Sequence, residues 1–158
     1  MKKSDILELS FEEICNVDRP TLGRQADVSL IRALKLSIIE YLGFNAASKL
    51  YFAGMHFGEN IGIKSIDDMK EFFKELGIGI LSVVSEDPLK FRIRECIDCA
   101  GLPNLGKPIC YFEAGIIAGC LESILDKKVK VVETKCYANG DDCCEFDVTI
   151  LSDHGDNK

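Results

Sequence analysis

Glu133, Cys136 and Cys144 are spaced Glu-x2-Cys-x7-Cys between two β-patterned runs, and Cys110 heads the helical run before them. Thiolates and one carboxylate gathered at a hairpin tip form a donor set suited to a metal, above all zinc. On the returning run, Cys144, Phe146, Val148 and Ile150 alternate onto one face; on the outgoing run, Val129, Val131 and Glu133 do the same. A carboxylate that continues an apolar row costs roughly several kcal/mol unless a cation meets it. In a straight strand Cys136 would face the other way, so the chain must turn near Lys135, and Ala138-Asn139-Gly140-Asp141-Asp142 supplies the reversal. A fourth donor must come from elsewhere. Cys110 follows Pro108 at a helix start, where the helix dipole favours a thiolate. Three thiolates and a carboxylate would close a tetrahedral site of the structural kind, with no open position for a reacting water. The competing reading of the same spacing is that these cysteines are small core hydrophobes.

Cys96-x2-Cys99 is a second metal-like spacing without a downstream twin. It could replace Cys110 in the same site, form a separate half-site, or act as a redox dithiol, although the following Gly101-Leu102-Pro103-Asn104 suits a loop better than a redox helix. Cys15, Cys120 and Cys143 read as packing or surface residues, and alternation turns Cys143 away from Cys144. Gly54, Gly58 and Gly62, and again Gly115 and Gly119, recur four apart, which predicts close helix packing. The functional alternative is room for an apolar or aromatic ligand lined by Phe52, His56, Phe57, Phe112 and Ile116. His56 alone reads as structural. With no nucleophile–base pairing, phosphate loop or dinucleotide fingerprint, no catalytic residue is assigned.

The elements that must position these residues follow from periodicity. Helical spacing is expected from Asp27 to Gly43, from Asn45 to Asn60, from Ser65 to Gly77 and from Tyr111 to Leu125. Strands are expected at 78–84 and 89–95 around the turn Ser85-Glu86-Asp87-Pro88, and at 129–135 and 144–151. Two hairpins with helices between them predict an α+β fold: an antiparallel sheet of about four strands with helices packed on one side. Residues 1–20 read as an acidic lead-in with apolar spacing at Ile6, Leu7, Leu9, Phe11 and Ile14, residues 21–151 as a single domain, and residues 152–158 as a frayed tail. The 158 residues suffice for one core, and a net charge of −7 argues against nucleic acid and anionic membranes as partners. No apolar stretch approaches the roughly 20 residues of a membrane span. With no signal-peptide pattern, a cytoplasmic location and free thiols are expected.

The run Cys110-Tyr-Phe-Glu-Ala-Gly115-x3-Gly119, then Val-x-Val-Val-Glu133-x2-Cys136-x3-Gly140-Asp141-x2-Cys144-x-Phe146, resembles the 4-vinyl reductase domain family. That family takes its name from a protein linked to bacteriochlorophyll synthesis. Similar domains serve as effector-sensing modules of bacterial aromatic-responsive activators and as freestanding archaeal proteins, and the fold is similar to that of TRAPP-type tethering subunits. The resemblance implies a homodimeric α+β domain with an apolar pocket beside bound zinc, and it carries the ligand roles onto Cys110, Glu133, Cys136 and Cys144. The chain has neither the ATPase nor the DNA-binding domain of the activators, so regulatory output would need a protein partner. It implies a sensor or carrier of a small apolar or aromatic molecule; the alternatives are an accessory or reductase for a vinyl-bearing tetrapyrrole and an assembly subunit.

Overall fold

The computed structural model describes residues 9–151, so the expected spacing at Ile6 and Leu7 and the expected frayed tail lie outside the described residues. A short helix α1 (Phe11–Cys15) opens on a capping box in which Ser10 and Glu13 exchange hydrogen bonds. Phe11 is more than lead-in: its ring lies 5.6 Å from Phe57 and 5.5 Å from Phe72. Helix α2 (Val28–Leu42) starts where the Asp27 side chain accepts the Ser29 N–H at 2.7 Å, and stops at Gly43 with φ 53°. A 3-10 turn (Gly43–Asn45) leads into α3 (Ala46–Asn60), and Ser65 caps α4 (Ile66–Glu75) by accepting the Asp68 N–H at 3.0 Å.

The sheet follows. Strands β1 (Ile80–Glu86) and β2 (Leu89–Arg94) form the first hairpin. After α5 (Tyr111–Leu125), β3 (Val129–Lys135) and β4 (Cys144–Ile150) form the second. All neighbours are antiparallel and the order is β1-β2-β4-β3, so the hairpins join through β2 and β4. This is the expected α+β architecture. The first strand opens at Ile80 rather than Ile78 because Ile78 and Gly79 still donate to the Phe73 carbonyl at the end of α4. On β2, Phe91 and Ile93 are fully buried, while Arg92 turns outward to pair with Glu145 at 2.5 Å. No helix among the described residues is long and apolar enough to cross a membrane.

Helix α5 is the centrepiece, with every residue from Glu113 to Leu121 buried. Its glycines settle the four-residue spacing. A Cβ on Gly115 would overlap the Tyr51 carbonyl and one on Gly119 the Met55 carbonyl; reciprocally, Gly54 and Gly58 abut the carbonyls of Phe112 and Ile116. The two backbones are in contact, so the glycines serve packing and leave no ligand space there. Tyr51 then reaches past this contact to accept the Val131 N–H at 3.1 Å, capping the outer edge of β3. Gly119→Ala would add a methyl group that also meets the Glu59 nitrogen at 2.8 Å. Alanine gains about 1 kcal/mol of helix propensity, whereas overpacking against backbone costs about 1–3 kcal/mol or more. A drop of several degrees in Tm is expected by circular dichroism; an unchanged Tm would mean that the helices have room to part.

Candidate metal centre and adjoining cavity

The β3–β4 hairpin, the entry to α5 and the irregular 95–110 segment meet at one end of the sheet. The pairing slips between Glu133 and Lys135, so the chain kinks where the sequence required a turn. Cys136 donates its N–H to the Asp141 carboxylate at 2.9 Å, and its carbonyl accepts from the amides of Asn139 and Asp141 at 2.9 and 3.1 Å. A 3-10 turn (Tyr137–Asn139) and Gly140 at φ 92° complete the reversal. The tip is held against the irregular segment by the Leu105 N–H, which donates to the Ala138 carbonyl at 2.6 Å.

Cys110, Glu133, Cys136 and Cys144 come together: one ligand atom from each lies within 4.8 Å of the others. Cys110 Sγ is 3.8 Å from Cys136 Sγ and 3.7 Å from Cys144 Sγ. A tetrahedron with zinc–sulfur arms of about 2.3 Å has edges of about 3.8 Å. Glu133 Oε2 accepts the Cys110 N–H at 2.9 Å, while its buried Oε1 has no protein partner. Burial, then the neighbouring Cys136 charge, pushes the Glu133 carboxyl up to about 9. An orphaned carboxylate oxygen beside three sulfurs fits a thiophilic divalent cation. The contact with Cys110 holds the Cys136 thiol well below its ordinary range, and the same contact pushes Cys110 up.

The structure also answers where Cys96 and Cys99 go. Both are fully buried, and Cys99 Sγ lies 3.4 Å from Cys110 Sγ and 3.3 Å from Cys144 Sγ, with Cys96 Sγ 3.6 Å from Cys110 Sγ. Cys96, Cys99, Cys110 and Cys144 therefore form a second group within 4.8 Å. The pair sits on a tight turn whose Cys99 and Ala100 amides donate to the Cys96 carbonyl at 3.3 and 3.0 Å. Arg32 of α2 clasps the turn from outside, donating to the carbonyls of Ile97 at 2.5 Å and Ala100 at 2.8 Å. The other cysteines stay apart: Cys120 Sγ faces the Gly58 carbonyl at 3.7 Å, Cys143 Sγ faces Glu145 at 3.9 Å, and Cys15 is half-buried on α1.

Beside this centre lies a cavity of about 460 Å³. Its walls include Ile31, Leu34 and Ile38 of α2, Phe57 of α3, and Phe112 and Ile116 of α5. Phe57 and Phe112 stack, with centroids 6.0 Å apart and planes 21° from parallel. One end is charged: Lys35 Nζ contacts the Asp98 carboxylate and bonds Glu113 Oε2 at 2.6 Å, with both carboxylates buried. Burial raises Glu113 above the usual carboxylate range against the pull of Lys35. Of the residues expected to line a pocket, Phe57, Phe112 and Ile116 share this cavity. Phe52 lines a different groove of about 630 Å³ with Tyr51, Met55 and Val131. His56 lines neither and hydrogen-bonds Asn60. The Lys35–Asp98–Glu113 cluster was missed by spacing arguments. Its signal was Glu113, an acid in the middle of an otherwise apolar helical run.

Residues 89–150, which carry both cysteine groups, match the 4-vinyl reductase (4VR) domain. The protein MJ1642 of Methanocaldococcus jannaschii, called uncharacterized, is 39% identical over 138 residues, 87% of this chain and 83% of its own length. This chain belongs to the 4VR domain family. Among solved structures, the 4VR chain is similar to a vinyl-4-reductase family protein from M. jannaschii, at TM-score 0.66 and 26% identity over 94% of each chain. It shares its fold with the phenol-responsive sensory domain of the transcription activator PoxR, solved with phenol (TM-score 0.62, 16% identity, 80% of this chain and 77% of that one). It also shares it with trafficking protein particle complex subunit 3 from Naegleria fowleri, covalently bound to palmitic acid (TM-score 0.59, 20% identity, 79% and 95%). The expected likeness to tethering subunits thus holds for the fold.

Proposed function

We propose that this 4VR domain binds a small apolar or aromatic molecule in the cavity beside a zinc held by Cys110, Glu133, Cys136 and Cys144, and acts as a sensor or carrier. The observation that carries this reading is the cavity itself: apolar walls with one buried charged end at Lys35, Asp98 and Glu113. Such a lining would take a ring or chain along its length and a hydroxyl or carbonyl at the charged end. The zinc would be structural, tying the hairpin tip to the start of α5 and fixing one wall. A homodimer is supported by apolar residues that α2 and the following turn leave exposed, Leu30, Tyr41 and Phe44 among them. A cytoplasmic setting is supported by the eight free cysteines.

The chain contains no tryptophan, so Leu34→Trp, an exposed residue on the cavity rim, installs both a plug and a reporter. Titration with 1-anilinonaphthalene-8-sulfonate should show affinity lowered about tenfold or more in the variant, roughly 1.4 kcal/mol, with Tm nearly unchanged. Equal affinity in both proteins would remove the cavity from the proposal.

Two other readings have their own support. Likeness to a vinyl-4-reductase family protein supports an accessory or reductase for a vinyl-bearing tetrapyrrole, whose hydride would come from a partner's cofactor. Turnover of such a tetrapyrrole with a reductant would establish it. The shared fold with a trafficking subunit and the exposed apolar face of α2 support an assembly role, which a stable complex with a second protein of the same cell would establish.

A further inference from the structure

The two cysteine groups overlap at two sulfurs, and that overlap has a specific chemical meaning. Cys110 and Cys144 belong to both; Glu133 and Cys136 complete one group, and Cys96 and Cys99 complete the other. Two four-donor sets sharing a pair of sulfurs are two tetrahedra sharing an edge. The shared edge, Cys110 to Cys144, measures 3.7 Å, against about 3.8 Å for a zinc–thiolate tetrahedron. We infer that this cysteine cluster holds two thiophilic divalent metal ions bridged by the sulfurs of Cys110 and Cys144, the second ion completed by Cys96 and Cys99. The inference deepens the single-zinc reading above and rests on it.

Charge supports two ions over one. Five thiolates and one carboxylate carry −6, which one divalent ion reduces to −4 and two reduce to −2. A single four-coordinate ion would also leave two sulfurs idle, yet Cys96 and Cys99 are fully buried and lie 3.3–3.6 Å from the ligand sulfurs. The turn that carries them is shaped in advance by its own amide bonds and by Arg32, so no folding of a loose loop is needed. An iron–sulfur cluster fits less well, because bridging positions that inorganic sulfide would take are filled by the Cys110 and Cys144 sulfurs. Soft thiolates favour zinc or cadmium over magnesium or calcium.

The test is an anaerobic cobalt(II) titration of the full chain, stripped of metal and kept reduced, following the thiolate-to-cobalt absorption. The expected breakpoint is two equivalents, with an electron paramagnetic resonance signal at two equivalents below twice that at one, since bridging sulfurs couple the two spins. The double variant Cys96→Ser, Cys99→Ser should break at one equivalent and keep its far-ultraviolet circular dichroism once that ion is bound. A wild-type breakpoint at one equivalent, or a double variant that still takes two, would overturn the binuclear centre while leaving the single site standing. No binding at all would overturn both. Acid-labile sulfide in protein isolated from cells would overturn the bridging assignment in favour of a cluster.

Discussion

Stripped of its metal by a chelator under reducing conditions, the protein should melt at least ~10–20 °C lower than the metal-loaded form, a loss of about 5 kcal/mol at roughly 2–4 °C per kcal/mol for a chain of this size. Structural zinc supplies up to about 10–16 kcal/mol in domains that have little else to hold them. This chain has its own core, so the loss should fall below that limit, concentrated where three chain segments meet only at their sulfurs. Glu133→Gln keeps the size of the side chain and removes its charge; Cys136→Ser keeps a weak donor and removes the thiolate. Each should lower Tm and metal content together. Elemental analysis alongside calorimetry reads both at once. Variants that lose stability yet retain the wild-type metal content would show that Glu133 and Cys136 are not ligands.

Lys35→Met should be nearly as damaging, at about 3–5 kcal/mol, the usual cost of stranding a buried charge. Lys35 is the cation that meets both Asp98 and Glu113, each carboxylate being almost wholly out of solvent. Methionine matches the aliphatic stem, so packing loss contributes little. Adding Glu113→Gln to Lys35→Met removes one stranded carboxylate and should recover about half of the deficit, which a double-mutant cycle in urea would measure. A Lys35→Met variant as stable as the wild type would mean that the carboxylates find other partners.

Period and turn chemistry carried most of the fold. The change from helical spacing to alternation after Gly77, the two hairpins and the return to helix at Tyr111 are all local signals, and each corresponds to an element. The four-apart glycines announced α3 against α5 because only a residue without Cβ permits that approach. Glu133 was legible as an acid continuing an apolar row. Three things were not legible. The adjacency of β2 and β4 joins residues 50 or more apart in sequence, and no periodicity encodes it. Cys96 and Cys99 lie in a turn without period, so their direction depends on where the chain crosses Cys110 and Cys144. Lys35 faces Asp98 and Glu113 across more than sixty residues of chain, a pairing fixed by packing alone.

Ile97 and Asp98 sit between the two cysteines of the tight turn, and both also line the cavity. Guest and ion thus grip opposite sides of the same four-residue stretch. Thermodynamic reciprocity then demands that whatever factor occupancy of the cavity applies to metal affinity, metal applies to the guest. A cell starved of zinc would sense a different concentration of the guest from one replete with it, and the 4VR domain would report the two supplies jointly.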